Sequence, residues 1–466
     1  MLARLEATLQ TLAELPRHRG HFLNWYDTQS KAALLPMYVS TVDSGNLSGH
    51  LLAVAQACTE LARAPFDSSA AERALAATLE RIGPLRNATS VALPDGALAR
   101  LLALPEPMKE ALDVPEHLEA LLRGAADELA PLLPGDDAAL APSALHQFAW
   151  RVADHIATLR SVLLDTAAKP TEALTVQRLR SVAARCETLA WEADFSFLYH
   201  RKRRLFHIGY RVAEQQLDAS YYDLLASESR LTSLLAIAKG DVPVSHWAAL
   251  GRPFYAVGEH AGLRSWSGSM FEYLMPSLVL DEPQGSVLHG ACLAALHEQI
   301  SFAHEHKVPW GISESAYAAS DHTLAYQYAP QGVPRLALRR TPPDELVIAP
   351  YATALATQIA PHRAVENFAV LETLATRARY GFIEALDFSA ARQAAAVGFT
   401  RVNTFMAHHQ GMSIVAIANV LLNGTPRRWG MGNAHIEAVA SLLHERAPRE
   451  VSILLAPPHN PIGRNR

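Results

Sequence analysis

Apolar residues recur at steps of three and four along Leu2–Leu15, Leu47–Ala64, Ala70–Ile82, Pro115–Leu133, Ala144–Ala167 and Thr171–Trp191. That spacing predicts a run of amphipathic helices over the first 192 residues, separated by loops that carry Pro, Gly and Asp. The stretch DFSFLYHRKRRLFHIGYRV, from Asp194 to Val212, alternates instead and predicts a short β-hairpin. Helical spacing then resumes over Tyr221–Ala238, Ser269–Leu280, Leu288–Glu305, Ala349–Ile359, Arg363–Ala378 and Val402–Leu422, with longer loops between the segments. No sequence repeat of fixed period and no low-complexity tract appears beyond an Ala-rich surface bias. About a dozen helices in succession, joined by aromatic and acidic loops, suit an all-α (α/α)6 toroid whose inner helices point loop residues into one crater. A helical solenoid is disfavoured by the missing repeat, and two stacked bundles split near residue 195 are the other arrangement open to an all-α chain.

Composition narrows the function classes. With 466 residues, 50% hydrophobic and 19% charged, the chain can bury a large core. A net charge of −5 offers no basic footprint for nucleic acid, and the run Arg201–Arg204 reads as a solvated turn. Cys58, Cys186 and Cys292 lie far apart within apolar helical patterns, which suggests a reducing compartment rather than a disulfide framework. The N-terminal segment lacks the features of a signal peptide, and the longest uncharged apolar run, Met412–Leu422, is too short for a membrane span. A cytoplasmic location is the expectation. No His pair stands at metal-ligand spacing, SWSGSM lacks the strand-to-helix setting of a nucleophile elbow, and no nucleotide-binding glycine motif occurs. No metal and no cofactor is expected.

What remains is a set of acids in aromatic surroundings. In YYDLLASESRLTSLLAIA, helical spacing puts Glu228 on the face of Leu224, Leu231 and Leu235, where burial raises a carboxyl toward the range of a general acid. The plainer reading is a structural acid satisfied by Arg230 or a backbone amide. Glu314 stands between two serines after the turn Trp310-Gly311. Glu272 is flanked by Phe271 and Tyr273, with Met275 on its side of the helix, and Glu384 shares a side with Asp387 if that segment is helical. His409 falls on the stripe of Val402, Phe405, Met406 and Ala416, the usual setting of a core histidine with a satisfied ring nitrogen; His408 points elsewhere. Glycoside chemistry needs a carboxyl that protonates the leaving oxygen and a second that acts as nucleophile or base. Trp266, Trp310, Tyr222, Tyr317 and Tyr328 can offer flat faces to sugar rings, and Asn46, Arg264 and His409 can serve hydroxyls. For most such aromatics simple packing is the ordinary explanation.

Several long motifs carry a resemblance: YVSTVDSGNLSGHL, GYRVAEQQLDASYYDLLASESRLTSLLAIAKGDVP, SWSGSMFEYLMP, VPWGISESAY, VIAPYATAL, YGFIEALDF and MAHHQGMSIVAIANVLL. In this order they resemble the middle region of cyclic β-1,2-glucan synthases, from about His21 to about Arg446. The resemblance implies an (α/α)6 barrel that cuts linear β-1,2-glucan and joins its ends, lying between a glucosyltransferase and a phosphorylase-like domain. It also implies kinship with bacterial endo-β-1,2-glucanases, which hydrolyse with inversion and carry no acid at the middle of the GISES motif. A ring-closing enzyme suits a covalent glycosyl-enzyme, so Glu314 is the implied nucleophile and Glu228 the implied acid/base. Glu272 and Glu384 match family motifs too and could take either role. With Asp43, Asp387, His408 and Gln410 they complete the implied substrate-binding set. Ile383 and Phe388 stand where Tyr is common in the family, and His207 where a small polar residue is more familiar.

The expected organisation is an N-terminal helix or linker over 1–20, the barrel over 21–446 with a loop-rich second half after about 195, and a tail over 447–466. The leading expectation is a retaining transglycosylase. An inverting endo-β-1,2-glucanase and a non-catalytic glucan-holding module are the alternatives.

Overall fold

The computed structural model describes residues 1–65, 115–133, 144–167, 171–257, 260–340, 344–394 and 397–446, with isolated positions between 67 and 80 and at 342. Most of the expected helix Ala70–Ile82, whose described positions are helical, and the expected tail 447–466 lie outside the described residues. Helices dominate: fourteen α-helices occur among the described residues. Those with strong spacing form close to the predicted places, as in Leu2–Glu14, Pro115–Leu129, Ala144–Ala167, Glu172–Glu192 and Val287–His306. Side-chain caps set several starts. Thr171 accepts from the Leu174 amide, and Ser40 accepts from Asp43 and begins Thr41–Leu61 six residues before the apolar spacing does.

The expectation of a single β-hairpin is corrected. Among the described residues seven small antiparallel sheets of two or three strands decorate the helices. The Asp194–Val212 stretch feeds two of them: Leu205–His207 pairs with Tyr199–His200 and Tyr221–Tyr222, and Gly209–Arg211 pairs with Tyr38–Ser40 and Gln216–Leu217. Three helix boundaries move, two of them for the same reason. Tyr221–Tyr222 is a strand, so the predicted Tyr221–Ala238 helix begins only at Arg230. Val402 lies in a strand paired with Ala385, so the last long helix is Ala407–Leu421. Met270–Leu274 is one short turn of helix, closed by Pro276 and a 3₁₀ turn.

The core is built where helices are buried on all sides. All seven residues of Pro350–Ala356 are buried, as are eight of the ten in Arg230–Lys239. Thr41–Leu61 packs against Glu172–Glu192 and Arg230–Lys239, while Pro350–Ala356 packs against Met270–Leu274, Pro361–Thr373 and Ala407–Leu421. Gly45 makes the first approach possible: a side chain there would strike Thr232. No described helix is long and apolar enough to cross a membrane, and all three cysteines are buried thiols.

Candidate active site

Glu228 and Glu314 occupy the same local sequence, Ser-Glu-Ser, and in both cases the two serines are buried while the glutamate keeps partial access. Glu228 is not helical, which corrects its placement on a leucine face. It sits in the loop before the Arg230–Lys239 helix, and the Ser227 hydroxyl donates to its carboxyl at 3.1 Å. Arg230 does not satisfy it either. That guanidinium, 1% exposed, pairs with Glu282 at 2.6 Å and donates to the carbonyls of Ser227, Glu272 and Tyr273 at 2.9, 2.7 and 2.6 Å. One buried cation thus ties the Glu228 loop to the Met270–Leu274 turn.

Glu314 is fixed through its backbone. Gly311, at φ +126°, turns the chain where a side chain would crowd the Ala349 carbonyl. Two side-chain amides then act as surrogate strands. Asn367 accepts from the Trp310 amide and donates to its carbonyl, and Gln299 does the same for Ile312 at 2.8 Å each way. Beyond them, a circuit of hydrogen bonds begins and ends on Glu314 itself. Its amide donates to Ser269 Oγ at 3.0 Å, Ser269 joins Ser313 at 2.9 Å, Ser313 joins the Tyr351 hydroxyl at 2.8 Å, and that hydroxyl donates to the Glu314 carbonyl at 2.8 Å.

Electrostatics separates the two acids from their neighbours. Burial, followed by the Glu272 and Glu314 carboxylates, pushes the Glu228 carboxyl up to about 8. Burial also raises Glu314, to about 7, with the Tyr328 hydroxyl and Arg339 working against it and Glu272 and Asp43 adding to it. Glu228 therefore lies within the field of Glu314 and holds its proton to higher pH.

The other candidate acids are committed to the protein. Glu272, 6% exposed, accepts from Ser265, Ser267 and Ser269, including two backbone amides, and closes the cap of its own helix. Glu384, 2% exposed, accepts from the Ala316 amide at 3.1 Å and pairs with His409 Nδ1 at 2.9 Å. Asp387 is fully buried, bound to Arg392 at 2.7 Å and to the amides of Ala318 and Ser389. Glu384 and Asp387 do not share a helical side, because Ala385–Asp387 is a strand.

The remaining candidates divide the same way. Trp310 is buried at the edge of the core, and Arg392 lies over one face of the half-buried Tyr317 ring at 4.7 Å. Trp266 is open, its indole N–H fixed on Asp223 at 2.9 Å, and Tyr222 lies close enough to feel Glu228, Asp43 and Glu314. Asp43 and Asn46 line a cavity of about 500 Å³ with His50, Phe271 and His408, and the buried Asn46 Oδ1 has no hydrogen-bond partner among the described residues. Arg264 stacks on Tyr255 at 5.6 Å, and its Nε likewise lacks a partner. Gln410 donates to the Phe382 carbonyl and supports the turn at Gly381. His409 is buried, but not on the predicted stripe: Val402 belongs to a strand and Phe405 precedes the helix. Its ring stacks on Tyr351 at 3.7 Å. Tyr351 escaped the sequence reading because the helical pattern of VIAPYATAL counts it as core. Among the described residues no cluster of three or more His, Cys, Asp or Glu could hold a metal ion.

A family model described as "Putative glucoamylase" matches residues 220–425, the stretch that holds Glu228, Glu314 and Tyr351. The cyclic beta-(1,2)-glucan synthase NdvB of Rhizobium meliloti (strain 1021) is 39% identical over 98% of this chain, which spans 16% of that protein's length. Nearly the whole chain is therefore similar to one segment of that synthase, as its motifs imply. Among solved structures, the endo-beta-1,2-glucanase of Talaromyces funiculosus with sophorose gives a TM-score of 0.44 at 12% identity, over 95% of this chain and 89% of that one. The beta-1,2-glucanase of Parabacteroides distasonis gives 0.43 at 13%, over 75% and 54%.

Proposed function

We propose that this chain is a retaining transglycosylase that acts on linear β-1,2-glucan and closes it into a ring, with Glu314 as nucleophile and Glu228 as acid/base. One observation carries the assignment: Glu228 and Glu314 are both partly accessible and Glu228 lies within the field of Glu314, while Glu272, Glu384 and Asp387 are bound by the protein itself. The similarity to a cyclic β-1,2-glucan synthase supplies the substrate class.

In the first step the Glu314 carboxylate attacks the anomeric carbon. The glycosidic bond breaks, its electron pair goes to the leaving O2, and that oxygen takes the proton from Glu228. In the second step the 2-hydroxyl at the non-reducing end of the same chain attacks that carbon. Its proton returns to Glu228, the ester bond breaks, and Glu314 leaves as a carboxylate. Trp266 offers a platform for the glucan, and Asn46 Oδ1 in the Asp43–His408 cavity an acceptor for a sugar hydroxyl. The (α/α)6 toroid over 21–446, attachment to glucosyltransferase and phosphorylase-like domains, and a cytoplasmic location belong to the same proposal.

The test is to trap the intermediate. With an activated β-1,2-linked disaccharide fluoride, the Glu228→Gln variant needs no acid for the first step and lacks a base for the second. Intact mass and peptide mapping should find a glycosyl ester on Glu314. No adduct, or an adduct on another residue, rejects the assignment.

A further inference from the structure

One face of the helix Thr41–Leu61 lines the cavity of about 500 Å³. Asp43, Asn46 and His50 stand on that face at steps of three and four, over about 10 Å of helix. Asp43 is exposed, and its carboxyl has no hydrogen-bond or ion-pair partner among the described residues. Asn46 Oδ1 is buried and unpartnered. His50 is half-buried, and its Nδ1 lies 2.8 Å from the backbone carbonyl of Asn46. A carbonyl oxygen can only accept, so Nδ1 donates and carries the hydrogen of the ring. Burial holds the ring below its ordinary range, against the pull of that carbonyl, so it is neutral near pH 7. Its Nε2 is left as a bare acceptor with no partner among the described residues.

The apolar lining comes from other elements: Phe271 and Met275 from the turn at Met270–Leu274, and Met412 from the helix Ala407–Leu421. Phe271 ties the cavity to the candidate active site. Its amide donates to Ser269 Oγ at 3.2 Å and to Ser313 Oγ at 3.0 Å, the two hydroxyls of the circuit that fixes Glu314. No Lys or Arg among the described residues lines the cavity, so an anion finds no partner there. A pyranose ring, with hydroxyl donors at its rim and apolar C–H faces, matches both sides. We propose that His50 is a glucan-binding residue: its Nε2 accepts a hydrogen bond from a hydroxyl of the glucose unit seated on Phe271, with Asn46 Oδ1 and Asp43 accepting from further hydroxyls along the same helix face. This rests on the chain taking β-1,2-glucan as its substrate. His50 touches the sugar and no reacting atom, so it acts in binding. A ligand without those hydroxyls would seal the acceptors away unpaired, which makes the face selective as well as adhesive.

The experiment uses the full chain carrying Glu228→Gln, which stops turnover, with ¹⁵N in the histidine rings and linear β-1,2-glucohexaose as the probe. The His50 signal is identified by its absence when His50→Phe or His50→Gln is added. Before the probe it should show the Nδ1–H tautomer. On titration its Nε2 signal should shift with that tautomer kept, and the shift should saturate with the Kd found by calorimetry. His50→Phe, which keeps a ring but no acceptor, should weaken binding about 3–10-fold, and His50→Gln, whose amide oxygen can accept, should recover part of the loss. A His50 signal that stays fixed while calorimetry saturates, or unweakened binding in His50→Phe, overturns the proposal. So does a signal that answers to tetramethylammonium but not to the glucan, which would make the cavity a cation site. Failure of every protein to bind the probe rejects the β-1,2-glucan reading and the role of His50 with it. Binding with the expected His50 shift, but no ring formation by the wild type, supports His50 and counts against the ring-closing reaction alone.

Discussion

The hydroxyl of Tyr351 donates to the backbone carbonyl of Glu314 at 2.8 Å, closing a hydrogen-bond circuit through Ser313 and Ser269 back to the amide of the same residue. Tyr351 itself sits on a fully buried helix, so the position of Glu314 is inherited from the core. Replacing Tyr351 by Phe leaves that carbonyl and the Ser313 hydroxyl short of a partner. The expected cost is about 1–3 kcal/mol of stability, read by urea unfolding. Turnover of linear β-1,2-glucan should fall on the order of 10–100-fold in kcat with a smaller change in KM, because the lost contact orients Glu314 and touches no sugar.

The two raised carboxyls set the pH profile. In the proposed reaction Glu314 works ionised and Glu228 protonated, so kcat/KM should lose activity below about 7 as Glu314 gains its proton and above about 8 as Glu228 loses its own. Two limbs so close give a narrow bell, and its apparent midpoints belong to the pair. With an activated leaving group Glu228→Gln should lose the alkaline limb of the first step. A flat profile across this range would contradict the acid and base roles.

Folding should respond to the same shifts. A carboxyl that holds its proton more tightly when folded makes the folded state bind more protons, so stability falls as pH rises from the unfolded value near 4.5 through the folded one. Glu228→Gln and Glu314→Gln should therefore be neutral at pH 4.5 and more stable than wild type above pH 8, by on the order of 1–3 kcal/mol each. Thermal unfolding of the three proteins across pH checks the sign, and equal gains at all pH values would count against it.

How much of this was legible in the sequence depended on where each residue's partner lies. Long helices with sustained spacing, such as Val287–His306, could be read directly, since period and packing agree there. The Glu228 segment misled because Leu224, Glu228, Leu231 and Leu235 keep a helical spacing by coincidence, while strand pairing of Tyr221–Tyr222 with Leu205–His207 holds the first part out of the helix. Glu314 stood out because a lone acid after Trp-Gly has no structural rationale in the local pattern. Tyr351 and the Arg230–Glu282 pair were invisible, since their partners lie 37 and 52 residues away. The Arg392 partner of Asp387, five residues on, was equally hidden, because the two meet across a turn and not at helical spacing.

The latch at Arg230 carries its own prediction. Arg230→Met leaves Glu282 buried without its partner and frees three carbonyls, so the expected loss is about 3–5 kcal/mol. Arg230→Met with Glu282→Leu should recover part of it, and a double-mutant cycle in urea measures the coupling. Activity of the double variant should stay low, because the Glu228 loop is no longer tied to the Met270–Leu274 turn.

Trp266 tests the sugar platform. Its indole is 42% exposed and its N–H is already used by Asp223, so Trp266→Ala removes an open stacking face with little effect on the core. KM for long glucan should rise on the order of 3–10-fold with kcat nearly constant, the mark of uniform binding. An unchanged KM would place the glucan elsewhere.

Product analysis on linear β-1,2-glucan is the most direct test of the central claim. Followed by mass spectrometry and by proton NMR from the first turnovers, a retaining ring-closing enzyme gives products one water lighter than a linear chain, with only β-anomeric linkages and no new reducing ends. Glu314→Gln should abolish them. Linear products whose new reducing ends first appear as the α-anomer would show inversion by water and contradict the assignment of Glu314 as a nucleophile.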